Sequence, residues 1–166
     1  HAYFNLKGNG NVGEHTLQMN SSKILEVSPK LIPTGNILDV KGTPFDFTEE
    51  KKIGKDIKEV GPGYDHCYVL NKKEEGELSF AAKVTEPVSG RTLEVFTTEP
   101  GMQLYSDNWA DGYKGQNGAT FPKRSALCFE CQHFPDSPNH PYFPSVVLNP
   151  GEEYKQKTIY KFGVSK

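Results

Sequence analysis

Glycine and proline are scattered through the whole chain, 16 and 12 of them in 166 residues, and they divide it into segments too short and too interrupted for long helices. Between them lie short runs that alternate apolar and polar residues or carry aromatic and β-branched ones. The clearest are HTLQMN (15–20), HCYVL (66–70), ELSFAAKVTE (77–86), TLEVFTTE (92–99), MQLYS (102–106), ALCFECQ (126–132) and KTIYKFGV (157–164). Seven or more such strands predict an all-β architecture of the sandwich kind, with sequential neighbours mostly antiparallel. Residues 71–76, NKKEEG, read as a hairpin loop, while Ser89-Gly90 and Asn149-Pro150-Gly151 suit tight reversals. Residues 28–63 hold scattered prolines, glycines and charges, which predicts a long ordered loop with one short helical turn near Lys51 to Ile57. HAYFNL, residues 1–6, reads like part of a strand, and no repeat or linker divides residues 1–166, so one domain is expected.

Charge excludes some classes of partner. With 19 basic against 21 acidic residues there is no field to attract nucleic acid or an anionic membrane, and no stretch approaches a spanning helix. Three cysteines, Cys67, Cys128 and Cys131, are too few and too odd in number for a disulfide framework and favour a reducing compartment; a cytoplasmic location is the expectation. Asn20-Ser21-Ser22 matches the N-glycosylation pattern, with a plain surface turn as the bland reading.

Glu130 interrupts an apolar strand. By the two-residue period it shares a face with Ala126, Cys128 and Gln132, opposite Leu127, Phe129 and Cys131. Either that face is solvated, or Glu130 floors a cleft where partial desolvation lifts its pKa from about 4.3 and makes it a better base. Cys128-Phe129-Glu130-Cys131 imitates a zinc or redox pair, but residues three apart on a strand point to opposite faces, so two packing cysteines are expected. Asp65, after a Gly-Pro-Gly turn, is a turn acceptor or a fixed acceptor for a hydroxyl, and His66 faces the other way as a packing histidine. Gln103 carries donor and acceptor together, as sugar hydroxyls require, and Tyr105, Trp109 and Tyr113 offer flat apolar surface or simply core. His133 and His140 have no ligand partner at fixed spacing and read as loop structure.

Seven blocks occur together and in order: HAYFNL, LIPTG (31–35), GYDH (63–66), GRTLEVFTTEPGMQLY (90–105), NGATFPK (117–123), CFECQHFPDSPNHP (128–141) and LNPGEEY (148–154). Together they closely resemble the aldose 1-epimerases, the galactose mutarotases. The resemblance implies a large antiparallel β-sandwich of the mutarotase type, of which this chain is roughly the C-terminal half, the remainder supplying an arginine and a second histidine. It implies Glu130 as general base, His1 as general acid, Asp65 and Gln103 as holders of sugar hydroxyls, a free hexose as substrate, and neither metal nor cofactor. The half alone is expected to turn over little. A sugar-binding or structural sandwich without turnover is the alternative. A relative acting on phosphorylated sugars would need a cationic cluster, which Arg91 and Arg124 do not form in the sequence.

Overall fold

A computed structural model of the chain describes residues 1–165. It is all-β apart from three single turns of 3₁₀ helix at Ile57–Glu59, Gln116–Gly118 and Ser137–Asn139. The strands are β1 (Thr16–Met19), β2 (Ser21–Val27), β3 (Pro33–Asp39), β4 (Lys51–Lys52), β5 (Asp65–Leu70), β6 (Ser79–Thr85), β7 (Arg91–Thr97), β8 (Gly101–Tyr105), β9 (Asp111–Lys114), β10 (Thr120–Pro122), β11 (Cys128–Gln132) and β12 (Thr158–Val164). All seven predicted runs contain a strand. Two five-stranded antiparallel sheets, β12-β7-β6-β1-β4 and β11-β8-β5-β2-β3, enclose the core, and β9 and β10 form a separate ribbon. Among the described residues no helix is long and apolar enough to cross a membrane.

The two-residue period explains which side chains fill the core. In β7, Leu93 and Val95 are fully buried and face Val84 and Ala82 across the β6 ladder; Leu104, Met102 and Phe129 meet them from the other sheet. Tyr160 of β12 ties the layers together by donating its hydroxyl to the Phe129 carbonyl at 2.7 Å. Asn20 is the corner where the chain leaves one sheet for the other: its amide nitrogen donates to the carbonyls of Asn71 and Phe80, both at 3.1 Å. An asparagine so engaged, with its side chain half-buried, is a structural corner rather than a free acceptor for a glycan.

Four local expectations are corrected. Residues 28–63 are not one loop: Pro33–Asp39 is an edge strand on β2, which itself lacks a clean alternation, and four of the seven β3 residues in a row face solvent, so no apolar period marks it. Proline is tolerated at its first position because an edge strand has backbone donors to spare. The helical turn falls at Ile57–Glu59, and Lys51–Lys52 pairs with β1 instead. Residues 71–76 are no hairpin loop, because β5 and β6 lie in different sheets; likewise β12 pairs with β7, so residues 133–157 cross the molecule. HAYFNL makes one antiparallel bridge, Phe4 with Leu127, and Phe4 packs on Tyr160 at 5.2 Å.

Candidate active site

Three adjacent strands, β5, β8 and β11, build the site. Their register sets Glu130 opposite Gln103 and Gln103 opposite Cys67, with Cys128, Tyr105 and Asp65 aligned in the next row. Directly paired residues share a face, so this face carries the polar groups. The reverse face carries Phe129, Leu104, Cys131, Met102 and Tyr68 into the main core. The two thiols of the Cys-x-x-Cys stretch therefore diverge, as their spacing predicts. His66 also turns away, packing its ring on Phe45 at 4.6 Å; burial pushes its pKa down.

Asp65 is aimed by the turn before it. Gly63 has φ +133°, and a Cβ there would lie 2.0 Å from the Asn108 side-chain oxygen. Only glycine lets the chain pass that close. The Tyr64 backbone is then pinned by Ser106 and Asn108: its N–H donates to Ser106 Oγ at 2.9 Å, and its carbonyl accepts from Asn108 Nδ2 at 2.8 Å. Asp65 Oδ1 accepts a hydrogen bond from Gln103 Nε2 at 2.7 Å, while Gln103 Oε1 is buried without a partner. An orphaned acceptor costs free energy unless a ligand or water donates to it.

His1 completes the row. Its Nε2 is 3.4 Å from Glu130 Oε1, and its ring stacks on Tyr3 with centroids 4.7 Å apart and planes 8° apart. Burial pushes the Glu130 carboxyl above its ordinary value, and the charge of Asp65 raises it further. His1, Glu130, Asp65 and Gln103, the four residues singled out in the sequence, line one cavity of about 420 Å³. Leu31, Tyr3, Tyr105, Trp109, Gln132 and Pro135 line it too. Tyr105 and Trp109 meet the expectation of flat apolar walls. Tyr113 does not: it lies on the β9 to β10 ribbon beside a different, larger cavity of about 750 Å³.

Leu31 and Pro135 were missed by sequence reasoning, since both reach the cavity from connecting segments. Leu31 sits in the β2 to β3 turn at φ +60°, a strained value for a branched residue and the one signal that its placement is specified. Arg91 and Arg124 are committed elsewhere, donating to the carbonyls of Leu6 and Pro62 at 2.9 and 3.0 Å, and neither lines the cavity. His133 and His140 contact Glu99 and Asp136 instead. For metal-binding donors, His1, Cys128 and Glu130 converge, with their ligand atoms all within 4.8 Å of one another.

A sequence profile of the aldose 1-epimerase family matches residues 1–161. The galactose mutarotases of Mus musculus and Homo sapiens are 46% and 44% identical over 169 residues, an alignment covering 99% of this chain and 49% of each relative. The aldose 1-epimerase of Escherichia coli is 36% identical over 170 residues, covering 98% and 49%. Among solved structures, a GalM/aldose epimerase homologue from C. elegans superposes with a TM-score of 0.90 at 33% identity, over 100% of this chain and 50% of that one. Galactose 1-epimerase from Lactobacillus acidophilus gives 0.81 at 27%, over 99% and 47%. The chain thus spans about half the length of the relatives it matches. With a profile that covers nearly every residue and blocks that carry nine of the ten residues lining the cavity, the chain belongs to the aldose 1-epimerase family.

Proposed function

We propose that this chain is the half of a mutarotase that carries its acid and base, and that the whole protein interconverts the α and β anomers of free hexoses such as galactose and glucose. The carrying observation is the His1 to Glu130 couple, 3.4 Å apart, at a cavity with a buried unpaired acceptor. The reaction needs a proton removed from the C1 hydroxyl and one delivered to the ring oxygen. Those two oxygens share one carbon, so an acid and a base that serve them must converge within a few ångström. Glu130 takes the hydroxyl proton and His1 gives one to the ring oxygen; the ring opens, the aldehyde at C1 turns, and closure on its other face reverses both transfers.

Asp65 and Gln103 hold sugar hydroxyls, with Gln103 Oε1 as an acceptor and Asp65 fixed by Gln103 Nε2. Tyr105 and Trp109 give the sugar a flat wall. A cavity of about 420 Å³ falls in the range of small-molecule sites. The N-terminal half of the same fold is the proposed partner, closing the cavity from the His1 side, where that side chain is 53% exposed. Three free thiols suit the cytoplasmic setting included in this proposal.

Polarimetry on freshly dissolved α-D-galactose tests the reading, comparing buffer, the chain, the chain with the completing half restored, and that assembly with Glu130→Gln. Acceleration in the assembly that vanishes with Glu130→Gln is the expected result. An assembly that binds galactose without acceleration would replace this reading with the sugar-binding one. Neither binding nor acceleration would overturn both.

A further inference from the structure

We propose that His1, Cys128 and Glu130 form a binding site for a thiophilic divalent cation, Zn²⁺ being the fitting one, at the mouth of the same cavity. A tetrahedral zinc with bonds of about 2.0 to 2.3 Å sets neighbouring ligand atoms roughly 3.3 to 3.8 Å apart. His1 Nε2 and Glu130 Oε1, at 3.4 Å, already span one such edge, and Cys128 Sγ lies within 4.8 Å of both. Closing the remaining edges takes small side-chain movements. The half-exposed His1 ring has room to make them, and Glu130 is held by no hydrogen bond among the described residues beyond its contact with His1.

The surroundings favour a cation. Asp65 and Glu130 line the cavity, and no lysine or arginine lines the wall. Cys128 is fully buried and does not itself line the cavity, so His1 and Glu130 are the cavity-facing ligands and the metal enters from the half-exposed His1 side. As the Sγ to zinc bond forms, the thiol proton passes to solvent, and no electron is transferred. Thiolate with imidazole selects Zn²⁺ over Mg²⁺ or Ca²⁺. The three ligand groups are in place whatever the natural ligand of the cavity. If the acid and base roles above hold, a bound Zn²⁺ occupies both groups at once and stops turnover, which makes the site inhibitory.

The test uses metal alone, so failure of the sugar reading does not touch it. Co²⁺ is added to the purified protein and to its Cys128→Ser and Cys131→Ser variants, followed in the near ultraviolet for the sulfur-to-cobalt charge-transfer band, and Zn²⁺ affinity is then measured by competition. The band is expected in the native protein and in Cys131→Ser, whose thiol lies on the reverse face, and is expected to be lost in Cys128→Ser, with Zn²⁺ binding weakened at least about tenfold. Absence of the band in the native protein, its persistence in Cys128→Ser, or its loss in a natively folded Cys131→Ser would overturn the site. Should circular dichroism show Cys128→Ser unfolded, Glu130→Gln and His1→Ala keep the thiol. Each is expected to weaken Zn²⁺ about tenfold, and unchanged affinity in both overturns the proposal.

Discussion

The molecule holds two glutamate–histidine pairs beside one strand ladder, β8 with β11, and they differ in almost every physical respect. Near the end of that ladder where Gln132 faces Gly101, Glu99 is 3% exposed and accepts from both sides, His133 Nδ1 at 2.6 Å and the Tyr154 hydroxyl at 3.0 Å. At its middle rung, Glu130 stands 3.4 Å from His1, which lies outside the ladder, with side chains 26% and 53% exposed. The first pair is engaged at both carboxylate oxygens, one hydrogen bond to each, and the result clasps the crossing segment 133–157 to the sheet. The second is left open, with lone pairs and a proton facing a cavity. What separates a structural pair from a reactive one here is not residue type but how many of its valences the fold has already spent.

That contrast is broken most directly by rate. In the assembled protein Glu130→Gln is expected to lower kcat about 10²- to 10⁴-fold, whereas His133→Asn changes it less than about twofold, both read by polarimetry. Comparable losses would mean that the engaged pair also takes part. Stability should divide the other way. His133→Ala leaves Glu99 buried with one partner fewer and costs about 1–3 kcal/mol in a urea melt, while His1→Ala costs under about 0.5 kcal/mol.

A smaller effect concerns the open pair's own cost. Because burial raises the Glu130 pKa, the native state binds that proton more readily than the unfolded chain does; this contribution to stability is fully present below the unfolded value and is lost as pH rises through the native one. Glu130→Gln is therefore expected to stabilise the fold slightly at pH 7, by less than about 1 kcal/mol, with the gain gone below about pH 4, the unfolded carboxyl range. A loss of stability at pH 7 would mean the carboxylate is supported by the fold after all. The smallest expected change is in the pH profile of Asp65→Asn: beside the weaker galactose binding expected on losing a hydroxyl holder, removing the like charge lowers the Glu130 pKa and moves the acid limb of the pH–rate profile down.

Much of the site was legible before the fold was known. Strand alternation alone put Glu130 with Cys128 and Gln132 and opposite Phe129 and Cys131, and the structure has Phe129 and Cys131 packed in the core. The roles of His1, Asp65 and Gln103 came from resemblance rather than from spacing, since Asp65 and Gln103 are 38 residues apart and meet only because β5 and β8 pair. Leu31 and Pro135, brought in from connecting segments, left no periodic trace. Tyr113 was grouped with Tyr105 on nearness in sequence, yet the ribbon carries it to another cavity.

The amino-acid sequence by itself determined where seven of the twelve strands form and which side of them is apolar, because backbone alternation and the φ preferences of glycine and proline act over a few residues. Only the tertiary structure decided that residues 71–76 cross between sheets, that an exposed run becomes edge strand β3, and that β5, β8 and β11 stand side by side with Glu130 left open and Glu99 closed. Those choices follow from burying one shared core between two sheets, a condition set by contacts far apart in the chain that no local pattern encodes.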